Sequence, residues 1–81
     1  MNQIKEYNLV VLNEDTEVTH KETLKKILLR RGQVGTVLMD FNQEAFLIDF
    51  VDRNGVTYAM ETVRKENLIP LIYESIELLV S

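Results

Sequence analysis

The sequence predicts one small, mainly β domain: a barrel of about five antiparallel strands, with a short helix inserted after the first strand and a helical tail at the C-terminus. Three observations carry this reading. Residues 36–41 and 45–51 alternate apolar and polar side chains with the period of two that a strand with one buried face requires. Turn signals follow each run, Asn42-Gln43-Glu44 after the first and Asp52-Arg53-Asn54-Gly55 after the second, and a third β-rich run begins at Val56. Pro70 stands in the last apolar run, where a residue without a backbone donor belongs on a sheet edge.

The elements follow in chain order. In residues 7–12, Tyr7, Leu9 and Val11 share one parity and Val10 and Leu12 the other, so a largely buried first strand is expected. Thr19-His20-Lys21-Glu22 fits a capping box, and behind it Leu24, Ile27 and Leu28 fall at helical spacing. A helix over residues 19–28 is too short to stand alone in water, so its apolar stripe has to pack on the sheet or on a partner. Gly32 ends that helix, and Gly32 and Gly35 flank Gln33-Val34, where glycine permits a positive φ or a close backbone approach. The next strand sends Val37, Met39 and Phe41 to the core, and the one after it sends Phe46, Ile48 and Phe50 there, with Leu47 and Asp49 opposite. Asn54-Gly55 is the strongest short-range hairpin signal in the chain, since both residues tolerate positive φ. A helical turn over residues 64–67 then leads into the edge strand. The tail, residues 72–81, sets Ile72, Ile76 and Leu79 at helical spacing with Glu74 and Glu77 between them, and reads as a helix. One domain covers residues 1–81, with its core in 7–71.

The chain has 81 residues, 9 of them basic and 13 acidic, for a net charge of -4. An acidic balance argues against non-specific nucleic-acid binding, which draws on Lys and Arg neutralising phosphates. With no cysteine there is no disulfide, no thiolate chemistry and no Cys-containing zinc site. No apolar run has the length of a signal sequence or a membrane span, so a soluble, cytoplasmic protein is expected. The charge is uneven. Lys21, Lys25, Lys26, Arg30 and Arg31 cluster after the acidic Glu14, Asp15 and Glu17, and the bland reading of such a block is a solvated face.

Little in the sequence carries chemistry. The single histidine, His20, lies in a polar segment with no spacing that pairs it with a nucleophile. Asp40 and Asp49 fall on the polar parity of adjacent strands and Asp52 suits a hairpin turn, so they do not read as convergent metal ligands. No glycine loop for phosphate is present. The expectation is a protein that is not an enzyme and takes no cofactor and no metal.

Leu38 and Leu47 are the anomaly. They fall, with Ala45, on the face that is wet if the other parity is the core, and a contiguous apolar patch on adjacent strands needs a cover. The helix carrying Leu24, Ile27 and Leu28, the tail carrying Ile72, Ile76 and Leu79, or a partner's surface would supply one. These eight residues are the candidate partner-binding set.

Residues 7–15 (Tyr-Asn-Leu-Val-Val-Leu-Asn-Glu-Asp), 29–37 (Leu-Arg-Arg-Gly-Gln-Val-Gly-Thr-Val), 46–52 with Asn54-Gly55, and 67–71 resemble the bacterial family called domain of unknown function 4926. The resemblance covers most of the chain to Leu71. It implies a small SH3-like β-barrel and carries no established activity, so no catalytic residue transfers with it. Gly35-Thr36-Val37 also resembles the KOW element of ribosomal and transcription-factor barrels. Two stretches depart from the family pattern, residues 17–28 and the tail beyond Leu71. Both are amphipathic, and small barrels engage partners through such loops and appendages.

Two functions are therefore expected. The first is a non-catalytic module that binds another protein, as the small partner or neutraliser of a toxin-like protein, and that self-associates as a homodimer. The second is a nucleic-acid- or ribosome-associated KOW-like barrel whose contact surface is Lys25, Lys26, Arg30 and Arg31. Salt-sensitive RNA binding that weakens when those four are neutralised discriminates the two.

Overall fold

A computed structural model describes residues 3–72 of the chain. In chain order these residues form β1 (Leu9–Leu12), β2 (Thr16–Thr19), β3 (Lys26–Leu29), β4 (Val34–Phe41), β5 (Ala45–Val51), β6 (Thr57–Arg64), a 3-10 turn (Lys65–Asn67) and β7 (Leu68–Pro70). Five strands pair antiparallel in the order β6-β5-β4-β1-β7, while β2 and β3 form a separate two-stranded hairpin. The mainly β expectation holds. Closure into a barrel does not: the five-stranded sheet is open, with β6 and β7 as its edges and no pairing between them among the described residues. The short turn before the last strand and the Pro70-bearing edge stand where the sequence puts them.

The core lies on one face of this sheet. Rows of inward side chains cross it where Val37 faces Ile48, Phe46 faces Val63 and Phe50 faces Ala59. Phe46, Ile48 and Phe50 are fully buried, as their shared parity predicts. Each such side chain stabilises the fold by roughly 1.5–3 kcal/mol relative to an exposed one. The hairpin closes over this face with Val18 and Leu29, against which Ile27 packs, and the N-terminal segment adds Ile4.

The helix expected over residues 19–28 is absent; the segment is the β2–β3 hairpin. Thr16 faces Leu29 and Val18 faces Ile27, so the apolar contacts recur with period two, and Leu28 points to the opposite side beside Glu17. The helical spacing of Leu24, Ile27 and Leu28 is a coincidence of a turn residue with a strand. Leu24 sits in the turn at φ 60, a left-handed conformation incompatible with a helix interior. Nor does Thr19 act as a cap. His20 Nδ1 accepts the Glu22 and Thr23 backbone N–H groups at 3.1 and 3.3 Å and shapes the turn instead. The helix expected over residues 72–81, with Ile76 and Leu79, lies outside the described residues except for Ile72.

A β-bulge corrects the reading of β4. The register slips by one residue between Val37 and Met39, so that Val37 faces Ile48 while Met39 faces Leu47 and Phe41 faces Ala45. A single extra residue moves every later side chain to the other face of the sheet. Val37 is buried; Met39 and Phe41, expected in the core, are exposed on the outer face.

The turns also differ in kind from the expectation. Asn42 and Gln43 both take positive φ, at 58° and 60°, in a two-residue turn closed by the Glu44 N–H donating to Phe41 O at 3.1 Å. Two positive φ values define the primed hairpin turn, which the sequence places instead at Asn54-Gly55. In the latter loop only Gly55 is left-handed, at φ 80, and Asp52 organises the rest: its Oδ1 accepts the Asn54 and Val56 N–H groups at 2.8 and 3.0 Å.

Candidate interaction surface

The outer face of the five-stranded sheet is the surface that the fold leaves uncovered among the described residues. Its side chains form cross-strand rows fixed by the register. One row runs Ile69, Val11, Val34 across β7, β1 and β4. The next runs Leu9, Thr36, Asp49, Met60 across β1, β4, β5 and β6. Met39, Leu47 and Thr62 make a third, and Phe41, Ala45 and Arg64 a fourth. Apolar side chains occur in all four, and five of them are open to solvent: exposure runs from 40% for Phe41, through 42% for Val34, 45% for Met60 and 46% for Ile69, to 48% for Met39. A single exposed leucine needs no explanation, whereas a band of this extent on one face marks a contact surface.

Charge is sparse on this face. Asp49 Oδ1 accepts the Thr57 hydroxyl at 2.7 Å, which fixes the carboxylate, and at the corner Arg64 Nε lies 3.3 Å from Glu66 Oε2. The Glu66 carboxyl is held below the usual range, first by its own backbone N–H and then by Arg64.

The sequence-derived candidates scatter. Leu47 lies on the outer face as expected, and Leu38 is the bulged residue, half-buried. Leu24 and Leu28 are exposed on the hairpin, at its tip and on its outward side, and Ile27 packs inward against the core. Ile72 is exposed, while Ile76 and Leu79 lie outside the described residues. The two groups are thus not one patch. What the sequence reading missed are Met39, Phe41, Val34, Met60 and Ile69. The first two were hidden by the bulge, which has no residue signature here, and the others lie in short or edge segments to which the alternation assigned no face.

The basic stretch is largely answered by acid. Lys26 Nζ pairs with Glu17 Oε1 at 3.3 Å and Arg30 Nε with Asp15 Oδ1 at 3.6 Å, while the Arg31 backbone N–H donates to Asp15 Oδ1 at 2.8 Å. Exposed pairs of this kind contribute little to stability, but they place a carboxylate wherever an incoming phosphate has to settle. Lys25 is exposed and enters none of the described ion pairs.

A shallow groove of ≈ 580 Å³ runs between the β4–β5 turn and the 3-10 turn, lined by Gln43, Glu44, Arg64, Lys65, Glu66 and Leu68. Its signs of charge are mixed, Glu44 and Glu66 standing with Arg64 and Lys65, and no Ser, Thr, Cys or His side chain lines it. Among the described residues no three His, Cys, Asp or Glu side chains converge as metal ligands, and no helix is long and apolar enough to cross a membrane. His20 Nδ1 is committed to the turn, and its ring lies 6.2 Å from that of Tyr58.

Comparison with known proteins matches the family model described as Domain of unknown function (DUF4926) to residues 6–70. No match was found among curated proteins or among solved structures.

Proposed function

The chain belongs to the DUF4926 family, and from that starting point we propose that it is a non-catalytic protein-interaction module whose contact surface is the outer face of the sheet. The observation that carries this reading is the apolar band of Val34, Met39, Phe41, Met60 and Ile69 on a face built from five paired strands. An apolar sheet face with few charges offers little to a small polar substrate, which needs a concave site with convergent polar groups. It offers a great deal to another polypeptide, because interfaces are depleted of charge at their centre and enriched in aromatic and methionine side chains.

We read the fold as SH3-like, in support of the same class of function. The strand order, the hairpin between β1 and β4, and the 3-10 turn ahead of the last strand support that reading. A role as the small neutralising partner of a toxin-like protein is one form this function takes. The nucleic-acid reading is weaker, because Glu17 and Asp15 already engage Lys26 and Arg30.

The test is affinity capture with the wild-type chain, with a Met39→Lys/Met60→Lys variant, and with a variant neutralised at Lys25, Lys26, Arg30 and Arg31. A protein retained by the wild type and by the neutralised variant, and lost from the face variant, supports the proposal. Salt-sensitive RNA retention that vanishes only in the neutralised variant overturns it in favour of the nucleic-acid reading.

A further inference from the structure

We infer that the partner seated on the outer face is a second copy of this chain, the two sheets stacking face to face about a two-fold axis. The inference rests on the reading of that face as a protein-contact surface. Three properties of the face select a second copy over a foreign protein.

The first is area. Side chains of this size expose on the order of 150–200 Å² each when free, so the five that are nearly half exposed present about 400 Å² of apolar surface, before half-buried Leu9, Val11 and Leu47 are added. A stable interface of standard size takes about 800 Å² from each partner, and somewhat more than half of that is apolar. The face supplies about this amount.

The second is charge. Each copy carries a net charge of -4, so two copies repel unless they meet where acid is scarce. Glu14, Asp15, Glu17 and Glu22 all lie in or beside the β2–β3 hairpin, which covers the opposite face of the sheet. On the outer-face rows the acidic side chain is Asp49, already bonded to Thr57. The outer face is the side on which like-charged copies approach with the least penalty.

The third is the lack of a discriminating mark. A foreign partner is usually selected by charge complementarity, which requires unpaired charges at the surface. Here Arg64 is paired with Glu66, which leaves Asp49, hydrogen-bonded to Thr57, as the one charge on these rows without a counter-ion among the described residues. An apolar, self-similar band suits an isologous contact, in which each row meets its own counterpart, and two stacked sheets at about 10 Å spacing interdigitate such side chains as a β-sandwich does.

Sedimentation equilibrium on the full chain tests this. The wild type is expected to be a dimer. Met39→Lys and Met60→Lys are each expected to shift the population to monomer with the circular dichroism spectrum unchanged, whereas Leu24→Lys at the hairpin tip leaves the dimer intact. A wild type that is monomeric over the whole concentration range overturns the inference, and so does a dimer that survives both face variants. Should the lysine variants misfold, isotope-filtered NMR on a mixed labelled and unlabelled wild-type sample decides the matter. Contacts from the Met39 and Met60 methyl groups to the other copy support the inference, and a dimer without them overturns it. The outcomes also separate the two readings: a monomer that captures a foreign protein through this face keeps the interaction module and removes the second copy.

Discussion

Replacing Gly35 by alanine tests the packing that positions the whole sheet. A Cβ at Gly35 would run into Ile48 Cγ2 and stand 3.0 Å from Phe50 Cε1. Both neighbours are fully buried and close-packed, so neither has open space to give. The backbone at Gly35 is ordinary strand, which means the penalty comes from overpacking and not from φ; such insertions cost about 1–3 kcal/mol. Alanine also lowers the entropy of the unfolded chain and returns about 0.4–1 kcal/mol; because the approach to Ile48 is so close, the loss falls in the upper part of the overpacking range, leaving a net of about 1–2.5 kcal/mol. Ile48→Ala alone costs about 2–5 kcal/mol, because a fully buried side chain is cut back to a methyl. In the double variant the Gly35 methyl enters the volume that Ile48 Cγ2 has left. The two losses should therefore fall short of additivity by about 1 kcal/mol or more. Urea unfolding followed by circular dichroism measures all three variants; a domain of this size holds about 4–12 kcal/mol in total, so Gly35→Ala keeps a measurable transition and Ile48→Ala keeps one wherever that total exceeds its own loss. An unchanged midpoint for Gly35→Ala, or strict additivity in the pair, would refute the close approach of β4 to β5.

Three further outcomes are expected. Asp52→Ala removes the acceptor of two backbone N–H groups in the β5–β6 loop and should lower stability by about 1 kcal/mol in urea titration, with Asp52→Asn costing less because one acceptor oxygen remains. Gln43→Ala deletes the Nε2 donor to Ile4 O and to Asp40 Oδ2, so residues 3–8 should gain amide exchange and protease sensitivity ahead of the rest of the chain; uniform protection would show that the bond to Ile4 is not what holds them. Tyr58 has its phenol raised above the ordinary value of 10.0, first by burial and then by the negative charge of Asp52. Below 10.0 the phenol is protonated in both states and its contribution is whole; as the pH rises through the raised value the unfolded chain ionises first, so stability falls, and urea midpoints at about pH 9 and about pH 11 should converge in part for Tyr58→Phe.

How much of this was legible depended on whether a residue's partner lay close in sequence. The inward set Phe46, Ile48 and Phe50 was readable because period-two alternation over β5 is a local signal and the strand has neighbours on both sides. Asp52 in its loop and Pro70 on its edge were readable for the same reason, since the Asp52 carboxylate bonds backbone N–H groups only two and four residues on and Pro70 acts through its own missing donor. The hairpin was misread because Thr16–Thr19 and Lys26–Leu29 are each only four residues long, and neither alternates long enough to outweigh three apolar residues at helical spacing. Tertiary pairing decided between the two periods. Ile4 was overlooked altogether. It stands in a polar stretch, and its side chain joins the core while Gln43 Nε2, far away in sequence, donates to its carbonyl at 2.8 Å.

The bulge at β4 ties these misreadings to the candidate surface. Had the pairing run straight from Val37, then Met39 and Phe41 would face the hairpin, and the outer face would lose the two side chains that head its third and fourth rows. Because the register slips, Asp40 takes the inward position opposite Phe46. Asp40 is nevertheless open to solvent at this end of the strand, and it accepts the Gln43 N–H at 2.7 Å and the Gln43 Nε2 at 2.6 Å, bonds that hold Gln43 in its left-handed turn. The same Nε2 fastens Ile4, which enters the core. One extra residue thus exchanges two apolar side chains of β4 for a polar clamp and an N-terminal isoleucine on the inner face, and delivers the displaced Met39 and Phe41 to the outside. The exchange leaves the core filled and the outer face apolar. Straight pairing would turn the same two side chains to the inner side of the sheet. Placing them outward makes physical sense where something else covers them.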